Sequence, residues 1–131
     1  MDLGAWARGR NGNKLTRMST TDTKWEVTVD EVAAMKSRGE DFLLLDVRQP
    51  EEFAICKIEG ATLIPLGELG QRLDDLRDLA DGRPVIAHCH HGVRSLTAAA
   101  LLKQAGFENV RSMSGGIDAW SAKIDPKIPR Y

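Results

Sequence analysis

From Trp25 onward, short wholly apolar runs alternate with longer stretches of helical period. Phe42–Asp46 reads Phe-Leu-Leu-Leu-Asp, with no polar residue until its end. Such a run predicts a strand buried on both faces of a parallel sheet. Thr62–Ile64, Val85–His88 and Val110–Met113 predict further strands, and Trp25–Val27 a short edge strand. Between them lie helix signals. Thr28-Val29-Asp30-Glu31 matches a capping box, in which Thr28 and Glu31 satisfy orphan amides at a helix start. That helix is expected to run to about Arg38, with Gly39 ending it. A short helix is expected over Pro50–Ala54. An amphipathic one is expected over Leu66–Leu79, with Leu69, Leu73 and Leu76 on one stripe. Ser95–Gln104 is an Ala/Leu-rich helix stopped by Gly106, and Ile117–Lys123 is the last. Regular strand–helix alternation predicts an α/β fold: a small parallel sheet with helices on both faces.

Residues 1–24 lack this periodicity and are rich in Gly, Asn, Arg, Thr and Ser, so they read as a flexible tail. Residues 25–131 then form one domain. Met18, followed by Ser-Thr-Thr, reads equally well as a start, which would make residues 1–17 an upstream extension. Apolar residues at 42% and charged residues at 28% exclude wholesale disorder and fibrous repeats. The longest uncharged stretches fall far short of the roughly 20 residues a membrane span requires. The net charge of −1 gives no case for nucleic acid as partner. It is unevenly placed: the tail holds five basic residues against two acidic, the rest thirteen against seventeen. Cys56 and Cys89 are too few for a secreted disulfide framework, and the first 20 residues have no signal-peptide h-region. A reducing cytoplasm is the expected location.

The chemistry concentrates in Cys89-His90-His91-Gly92-Val93-Arg94-Ser95. This segment joins a buried strand to a helix, and ligands of open α/β sheets gather at the carboxyl ends of strands. Amides at the helix start would face the loop centre, and the helix dipole adds positive potential. Gly92 can take positive φ and let the loop curl into an anion nest. Arg94 contributes a guanidinium charged at any working pH. These features favour a thiolate at Cys89 and make it a candidate nucleophile. The alternative is an inert buried cysteine. All three histidines flank it. His and Cys are good zinc ligands, but neighbouring residues rarely converge on one ion and paired Cys-x-x-Cys spacing is absent, so no metal is expected. His90 and His91 read as rim donors or as plain exposed loop residues.

Four motifs in order resemble a single-domain rhodanese, a sulfurtransferase module. Asp46-Val47-Arg48 with Glu51-Glu52-Phe53 is similar to the family's D-V-R-x-x-x-E-[FY] segment. Ile58-Glu59-Gly60-Ala61 with Ile64-Pro65 resembles its I-x-G-A-x-x-I-P stretch. Cys89, Gly92, Arg94 and Ser95 match its active loop, and Gly115-Gly116-Ile117 with Trp120 its closing G-G-x-x-x-W. One departure is visible: Cys56 and Lys57 stand where the family usually has a His before the second motif. The Ala54-Ile55-Cys56 wording and the ending over Ile124–Tyr131 also resemble rhodanese domains fused to enzymes that activate sulfur-carrier proteins.

The resemblance implies ping-pong transfer without a cofactor. Cys89 takes the outer sulfur of a donor such as thiosulfate, and the resulting persulfide passes it to cyanide or a thiol, with a sulfur-carrier protein as a further candidate partner. Asp46 and Arg48 support the site: Asp46 either orients Arg94 and the loop amides, or pairs with Arg48 or caps the next helix. Gly115, Gly116 and Trp120 read as turn and packing residues. Cys56 is either a resolving thiol or packing. The rival class is a cysteine phosphatase of related fold, whose loop places Arg six positions after Cys. Here Arg94 is five after Cys89, which suits a single sulfur atom better. A binding module without activity would usually lose the cysteine.

Overall fold

The computed structural model describes residues 25–131. The tail expected over residues 1–24 lies outside the described residues. Eleven elements follow in order. These are β1 (Glu26–Val27), α1 (Val29–Ser37), β2 (Leu43–Asp46), α2 (Pro50–Ile55), β3 (Thr62–Leu63) and α3 (Leu66–Leu69), followed by α4 (Leu73–Ala80), β4 (Val85–His88), α5 (Val93–Gln104), β5 (Val110–Met113) and α6 (Gly116–Lys123). The strands form one five-stranded sheet in the order β1-β5-β4-β2-β3. Every pairing is parallel.

The apolar runs explain this placement. All four residues of β2 and all four of β4 are buried, and the two strands are neighbours at the middle of the sheet. Alternate side chains then serve two separate cores. Leu43, Leu45, Val85 and Ala87 face Leu69, Leu76, Ala98, Ala99 and Leu102 from α3, α4 and α5. Leu44 and Ile86 face Val29, Val32, Ile117 and Trp120 from α1 and α6. Helices therefore cover both faces, as a sheet with two apolar sides demands.

The capping box at Thr28 is present: Glu31 N donates to Thr28 Oγ1 at 3.1 Å, and Thr28 N to Glu31 Oε1 at 3.0 Å. The single helix expected over Leu66–Leu79 is instead two. Gly67 and Gly70 weaken a helix interior, and Arg72 leaves helical geometry at φ −119°, ψ 27°. Gln71 and Arg72 donate to Glu68 and Leu69, three residues back, which tightens the chain into a turn. Leu69 and Leu76 reach full burial by this break, while Leu73 is only partly covered. Helix α5 begins at Val93, two residues earlier than expected, because Gly92 at φ 114° turns the chain abruptly into it.

Candidate active site

Asp46 and His88 are register partners at the carboxyl ends of β2 and β4. Cys89 follows β4 directly, at the sheet edge where ligands of such folds gather. It is buried, and its Sγ accepts hydrogen bonds from the amides of Gly92 at 3.1 Å and Ser95 at 3.3 Å. Both amides belong to the first turn of α5 or its cap, where no helical carbonyl claims them. Ser95 Oγ lies 3.5 Å from the same sulfur and is held 2.7 Å from Ser112 Oγ on β5. The sulfur thus sits at the focus of two orphan N–H groups and the positive end of a twelve-residue helix. Such a cradle suits an anion on Cys89 or on a sulfur attached to it.

The loop's carbonyls point the other way. Cys89 O accepts from Ile117 N at 2.9 Å, and His90 O from Asp118 N at 3.1 Å. The start of α6 takes up the oxygens, leaving the amides of Gly92 and Ser95 for the sulfur. This needs close approach: a Cβ on Gly116 would collide with the carbonyl oxygens of both Cys89 and His90. Gly115 and Gly116 therefore act as turn and packing residues, and Trp120 on α6 packs into the core.

The charged residues do not pair as Asp46 orienting Arg94 would have required. Asp46 is joined to Arg48, with Oδ2 2.7 Å from Nη2 and both side chains fully buried. Two positions apart on an extended segment, they meet before Asp46 can reach α5. Arg48 also donates to the carbonyl of Cys56 at 2.7 Å and to Tyr131 Oη at 2.9 Å. Burial alone would pull its pKa down, but the bonds to Asp46 and Tyr131 outweigh this and raise it. Arg94 is instead clamped by Glu52, Nη1 to Oε1 at 2.7 Å and Nη2 to Oε2 at 2.9 Å. Chiefly through those bonds, the Glu52 carboxyl falls to a pKa of about 2. Tyr131 donates to Glu52 Oε2 at 2.8 Å, and burial pushes its hydroxyl up to about 12, so it keeps the proton it donates.

The remaining loop residues form a rim. His90 stacks on His91 and on Tyr131, each with ring centroids 3.9 Å apart. Burial, then His91, holds His90 below the ordinary histidine range. Val93 projects outward, 76% exposed. His90, His91 and Asp118 bring donor atoms within 4.8 Å of one another, but Arg130 already holds both Asp118 oxygens at 3.0 Å. His88 is fully buried beside Asp46, with Nε2 3.7 Å from Oδ2, and burial pushes its pKa down.

The structure brings Cys89, Gly92, Arg94 and Ser95 together and leaves Asp46 and Arg48 one layer beneath them. Three neighbours escaped the sequence reading as site residues. Glu52 stood within a motif without a partner assigned. Ser112, a fully buried hydroxyl on β5, carried only a weak signal, since Arg111 beside it already makes the strand partly polar. Tyr131 carried none.

The comparisons with known proteins agree with this geometry. The rhodanese-like domain family matches residues 28–123. The chain is 34% identical over 109 residues to the maize (Zea mays) adenylyltransferase and sulfurtransferase MOCS3-2, covering 80% of this chain and 23% of that protein. It likewise spans only 26% of the adenylyltransferase/sulfurtransferase MoeZ of Mycobacterium tuberculosis, at 35% identity over 80% of this chain. Among solved structures, the human single-domain sulfurtransferase TSTD1 superposes with a TM-score of 0.64 at 28% identity, over 75% of this chain and 96% of that one. From Thr28 through Lys123, with a five-stranded parallel sheet and a cysteine-bearing loop at its carboxyl edge, the chain belongs to the rhodanese-like domain family, which includes sulfurtransferases.

Proposed function

We propose that this protein moves a sulfane sulfur from a donor such as thiosulfate, through a persulfide on Cys89, to cyanide or a thiol. One observation carries the reading: the Cys89 sulfur at the focus of the Gly92 and Ser95 amides. In the first half-reaction the Cys89 thiolate attacks the outer sulfur of thiosulfate. A new S–S bond forms, the old one breaks, and sulfite leaves with the electron pair. The terminal sulfur of the persulfide carries the negative charge, which the positive end of α5 stabilises. In the second half-reaction cyanide or a thiolate attacks that terminal sulfur and restores the Cys89 thiolate.

Loop length favours sulfur over phosphate, since Arg94 lies only five positions after Cys89, a spacing that suits one sulfur atom better than a tetrahedral group. The resemblance of the Ala54–Cys56 segment and the chain's ending to domains fused to carrier-activating enzymes supports a sulfur-carrier protein as acceptor. Cys56 and Cys89 are both free, which suits the cytoplasm. Among the described residues no helix is long and apolar enough to cross a membrane.

Steady-state rates with thiosulfate and cyanide should give parallel reciprocal plots, the mark of a ping-pong reaction. Arg94→Ala should raise the KM for thiosulfate by roughly tenfold or more, since it removes the loop's positive charge and leaves Glu52 without its ion-pair partner. Added salt should shrink the difference between the two proteins. Intersecting plots, or a native protein that turns over no thiosulfate or thiol-derived donor, would overturn the reading.

A further inference from the structure

Arg94 is the loop's only guanidinium, and the Glu52 carboxylate engages both its terminal nitrogens. Four hydrogen bonds fix that carboxylate: two from Arg94, one from the amide of Gln49 at 3.0 Å and one from Tyr131 at 2.8 Å. Tyr131 is itself held by Arg48 and by its stack on His90. The clamp therefore runs back to the fully buried Asp46–Arg48 pair and is anchored in the core. On the other side of the loop, Asp118 and Arg130 answer one another in the same way. Glu52 stays ionised throughout the working pH range, and burial, then His91, shifts His90 toward its neutral form.

Among the described residues, the guanidinium on the loop and the one beside it are each balanced by a carboxylate. The positive potential that remains comes from the amides of Gly92 and Ser95 and from the dipole of α5, worth about half an elementary charge. That suffices for one negative sulfur. A donor with a second negative charge meets Glu52 instead of a free cation.

Building on sulfur transfer through Cys89, we propose that Glu52 is a specificity-determining residue: by holding Arg94 in an ion pair it makes the loop favour singly charged sulfane-sulfur donors over dianionic thiosulfate. An alkanethiosulfonate undergoes the same chemistry as thiosulfate with one charge fewer. The Cys89 thiolate attacks its outer sulfur, the S–S bond forms, the sulfur–sulfonyl bond breaks, and a sulfinate leaves with the electron pair.

The test compares kcat/KM for thiosulfate and methanethiosulfonate, with cyanide as acceptor, in the native protein and in Glu52→Gln. With its oxygen in the Oε1 position, the amide keeps the size of the side chain and the bonds from the Gln49 amide and Arg94 Nη1, while removing the charge and the second bond from Arg94. The variant should raise the thiosulfate-to-methanethiosulfonate ratio by about tenfold, mainly through the KM for thiosulfate, and the gain should shrink at high salt. Tyr131→Phe, which removes a hydrogen bond but no charge, should move that ratio far less. An unchanged or lowered ratio in Glu52→Gln, or an equal shift in Tyr131→Phe, would overturn the proposal. Mass spectrometry separates this failure from failure of the underlying reading. If both donors add sulfur to Cys89 but the ratio does not move, only the role of Glu52 falls. If neither donor does, sulfur transfer itself falls.

Discussion

Replacing Cys89 by serine should lower thiosulfate:cyanide transfer by at least about a thousandfold while leaving the melting temperature within a few degrees of the native value. A hydroxyl at this position is a far weaker nucleophile, and no neighbour among the described residues can substitute for the sulfur. Loss of the group that forms the covalent intermediate costs nearly all of the covalent route. The fold should tolerate the change because serine is close in size and the Gly92 and Ser95 amides can donate to its oxygen as they do to sulfur. Circular dichroism and thermal melting alongside the assay check both halves. Near-native turnover in the variant would remove Cys89 from the reaction.

The second large effect is on stability. Asp46→Ala should destabilise the domain by about 3–5 kcal/mol, because it leaves the Arg48 guanidinium charged and fully buried. Of the partners of Arg48, only the neutral carbonyl of Cys56 and the hydroxyl of Tyr131 would remain at short distance. A typical domain has only about 5–15 kcal/mol of stability, so this is a large share. Chemical denaturation with urea measures it directly. Replacing both partners, Asp46→Leu with Arg48→Met, should recover most of the loss, since apolar residues of similar volume avoid the desolvation of two ions. The double variant should still melt cooperatively yet show weakened transfer, since Tyr131 loses its tie to the core. A single Asp46→Ala variant as stable as the native protein would mean that the pair is not the anchor described above.

The sheet and the loop were legible in the sequence for physical reasons. A run such as Leu43–Leu45 has no polar face, so it must lie between two layers, and the two cores divide alternate residues of β2 as that argument requires. The Cys89 loop was legible because strand end, glycine and helix start are local features, and the sulfur lies where they place it. The break between α3 and α4 was not, because the stripe of Leu69, Leu73 and Leu76 fits a continuous helix and outweighed the signal of Gly67 and Gly70. The charge network was the least legible part. Glu52 and Arg94 are 42 positions apart and Glu52 and Tyr131 79, so only the folded chain selects them as partners. A carboxylate beside a guanidinium in sequence, such as Asp46 and Arg48, offers several pairings, and burial chooses among them.

The most direct test of the account is intact-protein and peptide mass spectrometry after incubation with thiosulfate under non-reducing conditions. The native protein should gain one sulfur atom, located on the peptide containing Cys89, lost on adding cyanide with release of thiocyanate and absent in Cys89→Ser. Sulfur that appears on Cys56, or a native protein that gains none from thiosulfate or methanethiosulfonate while remaining folded, would contradict transfer through Cys89.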